Sequence, residues 1–275
     1  MTTLRIALAQ FGPGLGEVDA NLSRMLEYLD KAVADSVDLV CYPELCVSGY
    51  LLEPSAYDAA LLDAVERAEA TLASAAAAAG VALVYGAPAR RPDGLANTVV
   101  HVGSDGHRLV YDKTHMDVKE RQVFSPGGSF VTSSDGLGLA CCYDLAFPEP
   151  TRMLALQGAR VLLVPMAWEV ARSFVLDKVA AARAVENVAY LVCANQCGTV
   201  GPFRFRGASR VLDPLGETLL LLDDEEALGV VDVDLSLVDR LRDRSDDRTY
   251  PLLDDRRPDL YPAPYRPPAS DWSRP

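Results

Sequence analysis

The chain has 275 residues, 49% of them hydrophobic, and a formal net charge of −13 with a sequence pI of about 4.7. An acidic surface gives phosphate backbones and anionic lipid little electrostatic reason to bind, so nucleic acid and membranes are excluded as partners, and no apolar run reaches the roughly 18 residues of a spanning helix. This length buries one large core, and a single soluble, cytoplasmic α/β domain is expected.

In chain order, short buried strands are predicted over 4–9 and 37–42, with apolar residues at helical spacing over 18–34 between them, a β-α-β start. Residues 58–79 are rich in Ala, Leu and Glu and read as a helix closed by Gly80, before a strand over 81–85. Further strands are predicted over 98–102, 108–111, 137–142, 161–165, 190–194, 208–212, 218–222 and 229–233, and helices over 149–157 and 174–188. The turn at 103–106 marks a hairpin within this alternation, so mixed sheets are expected, and two packed sheets would accommodate so many strands. Beyond Leu241 the composition shifts to Arg, Asp and Pro, with seven of the eighteen prolines. Residues 1–241 are therefore expected to form the domain and 242–275 an extended tail that docks through its tyrosines and tryptophan.

The six cysteines, at 41, 46, 141, 142, 193 and 197, contain no C-x-x-C pair. No metal site and no disulfide framework is expected, and most thiols should be free and buried. Cys141 and Cys142 end an apolar run. On a strand over 137–142 they would face opposite sides, and Cys142, last before a helix start, would sit where α/β folds place ligands and where a thiolate is stabilised. From the residues alone two readings stay open: Cys142 as a nucleophile, or both as packed core thiols.

A thiol nucleophile needs a base. His101 and His107 bracket a turn and read as surface residues, and His115 is either a hydrogen-bonding residue of the surroundings or a papain-like partner. Glu44 and Lys113 each follow a strand directly. A carboxylate, an ammonium and a thiol at three strand ends could converge as base, electrostatic stabiliser and nucleophile.

The segments Tyr42-Pro43-Glu44-Leu45, Lys113-Thr114-His115-Met116 and 141–149, in this order, resemble the carbon-nitrogen hydrolase (nitrilase) superfamily. The similarity is close to full-length and extends to 120–127, 183–187, 207–216 and 257–261. It implies a four-layer α-β-β-α sandwich, two mixed sheets with helices on the outer faces, no cofactor, and commonly a homodimer in which the tail reaches across the neighbour. It further implies that Cys142 attacks the substrate carbon, Glu44 moves protons, Lys113 stabilises the oxyanion with the backbone N–H of Tyr143, and Glu120 positions the lysine. The short chain looks like the amidase and carbamoylase branches. A small amide hydrolysed to ammonia and a carboxylic acid is the favoured reaction. The alternative is an N-carbamoyl amine or acid, releasing carbon dioxide and ammonia; a nitrilase or a non-catalytic metabolite-binding homologue is less favoured. Tyr50 and Trp168 are expected to wall the pocket. Many relatives carry Asn before the Trp, whereas this chain has Ala167-Trp168-Glu169, and Glu169 would favour a cationic substrate if it faces the pocket.

Overall fold

Two central three-stranded parallel cores, each flanked by antiparallel strands, organise the molecule, a computed structural model that describes residues 2–243 and 251–260. The first half runs β1 (Thr3–Gln10), α1 (Val18–Ala34), β2 (Leu39–Cys41), α2 (Ala59–Ala79), β3 (Ala82–Arg91), β4 (Gly94–Val102) and β5 (Arg108–Asp112). The second continues with β6 (Val131–Thr132), β7 (Leu137–Leu139), α3 (Pro148–Leu156), β8 (Val161–Met166), α4 (Ser173–Asn187), β9 (Tyr190–Asn195), β10 (Cys197–Val200), β11 (Phe203–Arg206), β12 (Arg210–Leu212) and β13 (Thr218–Leu221). It ends with β14 (Ala227–Asp234) and α5 (Leu235–Arg242). One sheet has the order β14-β1-β2-β3-β4-β5 and the other β13-β12-β9-β8-β7-β6. β14 returns to the first sheet, pairing antiparallel with the whole of β1 from Thr3↔Asp234 to Gln10↔Ala227.

The period of two along β1 shows why both faces must be covered. Ile6 and Leu8 enter one core with Leu139, Leu163 and Val192 of the opposite sheet, while Ala7 and Ala9 enter a second core with Met25 and Leu29 of α1 and Val65 and Leu72 of α2. Leu154 of α3 and Ala180 and Ala184 of α4 pack on the second sheet. The result is the expected pair of mixed sheets with helices outside. α2 begins at Asp58, whose side chain accepts the Leu61 N–H, and ends at Gly80 in the left-handed conformation (φ 68°).

Several expectations need correction. β3 and β4 form one long hairpin, nine residues in register from Leu83↔Val102 to Arg91↔Gly94. Gly86 and Pro88 disguise it, yet Pro88 is tolerated because β2 stops at Cys41↔Val84 and leaves that edge of β3 without a partner strand. The strand predicted over 137–142 pairs only to Leu139. The hairpin β10/β11 and the helix α5 were not foreseen. His101 is not a surface residue: β4 lies between β3 and β5, and the residue is buried, with 7% exposure. The tail beyond α5 falls largely at 244–250 and 261–275, outside the described residues. Among those described, no helix is long and apolar enough to cross a membrane.

Candidate active site

One end of the cleft between the sheets collects ionisable groups. Glu44 lies three residues past β2, in a loop pressed so closely on β3 that a Cβ on Gly86 would stand 2.2 Å from the Leu45 nitrogen. The Gly86 N–H donates to the Pro43 carbonyl (3.1 Å), and Leu45 takes a positive φ of 47°. The opposite sheet grips the same residue: the Glu44 N–H donates to the Met166 carbonyl (3.3 Å) and Gln196 Nε2 to the Glu44 carbonyl (2.8 Å). Lys113 is the first residue after β5, its N–H donating to the Asn97 carbonyl (2.9 Å) and its carbonyl accepting from Gly127 (2.8 Å). Glu120 opens a 3-10 turn (Glu120–Gln122) set by Asp117, whose Oδ1 accepts the Glu120 N–H at 3.0 Å.

These side chains are essentially solvent-free and bonded to one another. Lys113 Nζ donates to Glu44 Oε1 (2.7 Å) and Glu120 Oε1 (2.5 Å). Asn97 Nδ2 donates to Glu44 Oε1 (2.7 Å) and lies 3.4 Å from Glu120 Oε1. Glu120 Oε2 accepts the Asp117 N–H (3.1 Å). Glu44 Oε2 alone in this cluster is buried with no protein partner. Burial works against the Lys113 ammonium, but Glu120 and then Glu44 outweigh it and hold the group well above the usual lysine range. Burial raises the Glu120 carboxyl above the ordinary range against the pull of Lys113, with the Glu44 charge adding to the rise.

Cys142 does not end a strand. It opens a 3-10 turn (Cys142–Ala146) with φ 42°, a left-handed backbone that costs a non-glycine residue about 1–3 kcal/mol. Asp144 holds the turn: its Oδ2 accepts from the Cys141 N–H (2.9 Å) and the Tyr111 hydroxyl (2.7 Å), and its Oδ1 from the Thr114 hydroxyl (3.0 Å) and the His115 N–H (3.0 Å). His115 Nδ1 lies 2.9 Å from the same carboxylate and its ring stacks on Phe147, so this histidine belongs to the support of the turn. The two thiols do part company, but through the turn and not through strand parity. Cys142 reaches the cavity; Cys141 is wholly buried with Sγ 3.3 Å from Glu44 Oε1. Burial and then the Glu44 charge push both thiols well above their usual range, with Lys113 opposing, which favours the neutral form of the resting thiol.

The cavity above Cys142 holds about 220 Å³ and is mostly apolar, with Lys113 and Glu120 on its floor and Tyr50, Tyr143, Ala167, Trp168 and Glu169 in its wall. All eight residues expected at the site line it or lie directly beneath it. Trp168 is pinned by its N–H to Asn195 Oδ1 (2.7 Å) and its indole N–H to the Arg172 carbonyl (2.8 Å). Tyr50 packs edge-on against Phe203 and Phe205 of the unforeseen hairpin. At the mouth Arg172 pairs with Asp117 (3.2 Å) and also feels the charge of the half-buried Glu169, which among the described residues makes no ion pair of its own. Asn97, Asp117, Asp144 and Arg172 escaped the sequence reading. Asn97 alone left a signal, a strand-averse residue inside an apolar run. Among the described residues no group of three or more His, Cys, Asp or Glu side chains could hold a metal ion.

Comparison with known proteins accords with this geometry. The family model described as carbon-nitrogen hydrolase matches residues 5–243. A protein of Pseudomonas protegens named hydrolase in pqqF 5'region is 37% identical over 94% of this chain and 91% of its own length. The crystal structure of an amidase from Nesterenkonia sp. superposes with a TM-score of 0.83 at 31% identity, covering 94% of each chain. A variant of that amidase (TM-score 0.81, 30% identity, covering 94% of this chain and 95% of that one) shows covalent addition of the acetamide moiety of fluoroacetamide at its active-site cysteine.

Proposed function

The chain belongs to the carbon-nitrogen hydrolase family and is an enzyme acting on amides; from that premise we propose that it hydrolyses a small linear amide through a thioester on Cys142, releasing ammonia and a carboxylic acid. The observation that carries the reading is the unpartnered Glu44 Oε2, in a cluster where Glu44 Oε1, Lys113 Nζ and both Glu120 oxygens are bonded.

In this reading Glu44 Oε2 takes the Cys142 proton as sulfur attacks the amide carbon. The oxygen that becomes negative faces the Lys113 ammonium and the Tyr143 N–H, and Glu120, bonded to Lys113 Nζ, keeps that ammonium in place. The C–N bond then breaks, the proton on Glu44 passes to the leaving nitrogen, and ammonia departs. Water enters, gives a proton to Glu44 and adds to the thioester carbon. Collapse frees the acid and returns the proton to Cys142. The resting thiol supports this order, because proton removal is coupled to attack.

The cavity's size suits a short acyl group, held by Tyr50 and Trp168. Arg172 faces two carboxylates, bonded to Asp117 and acting on Glu169 through its charge, so the mouth has more negative than positive charge around it, which favours a substrate with a distal cation. We expect Glu169→Gln to lower the ratio of kcat/KM on ω-amino amides to that on neutral amides severalfold; an unchanged ratio removes the assignment. Exposed Met153 and Leu156 on α3 and Val185 on α4 support a homodimer, which sedimentation as a clean monomer would contradict. Assaying ammonia and carbon dioxide from a panel of amides, carbamoyl amines and nitriles tests the reaction itself. Ammonia alone from the amides is expected, and carbon dioxide from carbamoyl compounds as the dominant product would replace the amide reading.

A further inference from the structure

We propose that Asn97 is a positioning residue whose side-chain amide fixes the Glu44 carboxylate by its Oε1, so that Oε2 is the oxygen presented to the Cys142 thiol. The inference rests on the reading of Glu44 as the base.

A terminal carboxylate torsion is soft and roughly two-fold, so nothing intrinsic to a glutamate decides which oxygen faces a substrate. Lys113 cannot decide it alone. An ammonium is a rotatable point donor, and this one already serves Glu44 and Glu120 together. Asn97 differs in being planar and fixed. It sits in the interior strand β4, opposite Pro88, and its own carbonyl accepts the N–H of Lys113 at 2.9 Å, so the amide that aims at Glu44 and the ammonium that aims at Glu44 hang from one hydrogen-bonded step of backbone.

The direction of the amide is set as well. Only its Nδ2 can donate to the carboxylate, and the single S–H of Cys141, 3.3 Å from Glu44 Oε1, is a weak third donor to the same oxygen. Oε1 therefore has three donors and Oε2 none. Asn97 also distinguishes the two acids that share Lys113, standing at 2.7 Å from Glu44 but 3.4 Å from Glu120. A residue present only to fill space would need neither the directionality nor the asymmetry.

The titratable groups acting on Glu44 are Lys113 after β5, Glu120 in its 3-10 turn, Cys141 and Cys142 after β7, and Tyr50 and Tyr57 from the segment after β2. An N–H donated to a carboxylate favours its charged form.

The test uses the full chain with two readouts, steady-state hydrolysis of a short primary amide and the rate of Cys142 alkylation by iodoacetamide, each across pH. Asn97→Leu, similar in volume but without a donor, should lower kcat about a hundredfold with KM within about twofold. It should also slow the alkylation of Cys142 severalfold. Asn97→Ser, which retains a hydroxyl donor, should recover part of both effects and carries the same test if the leucine variant does not fold. In a Glu44→Gln background, Asn97→Leu should slow alkylation no further. A folded Asn97→Leu enzyme with kcat within threefold of wild type, an unchanged alkylation rate, or a full additional loss on top of Glu44→Gln would each overturn the proposal. Wild-type turnover in Glu44→Gln would instead overturn the base assignment on which it rests.

Discussion

The two sheets contribute to the site in different ways. The first supplies Glu44, Asn97 and Lys113 from positions inside or within three residues of β2, β4 and β5, all wholly buried and bonded to one another. The second supplies Cys142 from a left-handed turn, and Ala167, Trp168, Glu169 and Arg172 of the cavity lining from the loop between β8 and α4, where Glu169 is half-buried and Arg172 exposed. The proposed proton handling thus sits on a rigid frame, where a small displacement is costly, while substrate selection sits on connections that tolerate change.

Substitutions can break this contrast. The largest effect is expected at the one point where the two sheets exchange a proton: Cys142→Ala should abolish ammonia release, whereas Cys141→Ala, losing only a weak thiol donor, should fall no more than a few-fold. Equal losses in two folded variants would refute the assignment of Cys142. Next, Lys113→Met should abolish turnover and cost about 3–5 kcal/mol at neutral pH in chemical denaturation, because two buried carboxyls lose their cation. Its sign with pH is informative. Burial already holds Glu120 above the ordinary range, and removing Lys113 raises it further. A raised folded-state value gives stability that is present below the unfolded value and lost as pH rises through the folded one, so the variant should be nearest wild type in mild acid and fall away toward neutrality.

A smaller effect, about 1–3 kcal/mol together with reduced kcat, is expected for Gly86→Ala, because the added methyl would push the Glu44 loop off the frame. A thermal melt and an activity assay on the same preparation would check both. The smallest effect lies at the far end of the cleft. There burial, and secondarily His107, lowers the His101 value, so its contribution is intact above the ordinary histidine range and lost as pH falls through and below it. His101→Leu should flatten the stability profile below the ordinary histidine value of about 6.5 and leave kcat alone.

The elements around the glutamate, the lysine and the cysteine were legible because each follows a short apolar run that ends in a polar residue. Two kinds of feature were not. Apolar runs report burial, not pairing, so Ala140 and Cys141 read as strand although β7 ends at Leu139. Conversely, pairing concealed by Gly86 and Pro88 shortened the expected β3 and began β4 at 98, one residue beyond Asn97, leaving the most connected neutral side chain of the site outside any element. Cavity-facing residues such as Arg172 carry no local mark at all; only the meeting of the loop before α4 with the Asp117 turn brings that pair together.

The return of β14 to β1 has a consequence for how the chain matures. Residues of the first sheet emerge from synthesis early, yet the edge of β1 is closed only by residues 227–234, after the whole of the second sheet has been made. The N-terminal half therefore waits with an open strand edge and a cluster of charged side chains that has no roof. Completion of the sandwich, and with it the exclusion of water from Glu44, Lys113 and Glu120, is a late and long-range event, tying catalytic competence to the arrival of β14.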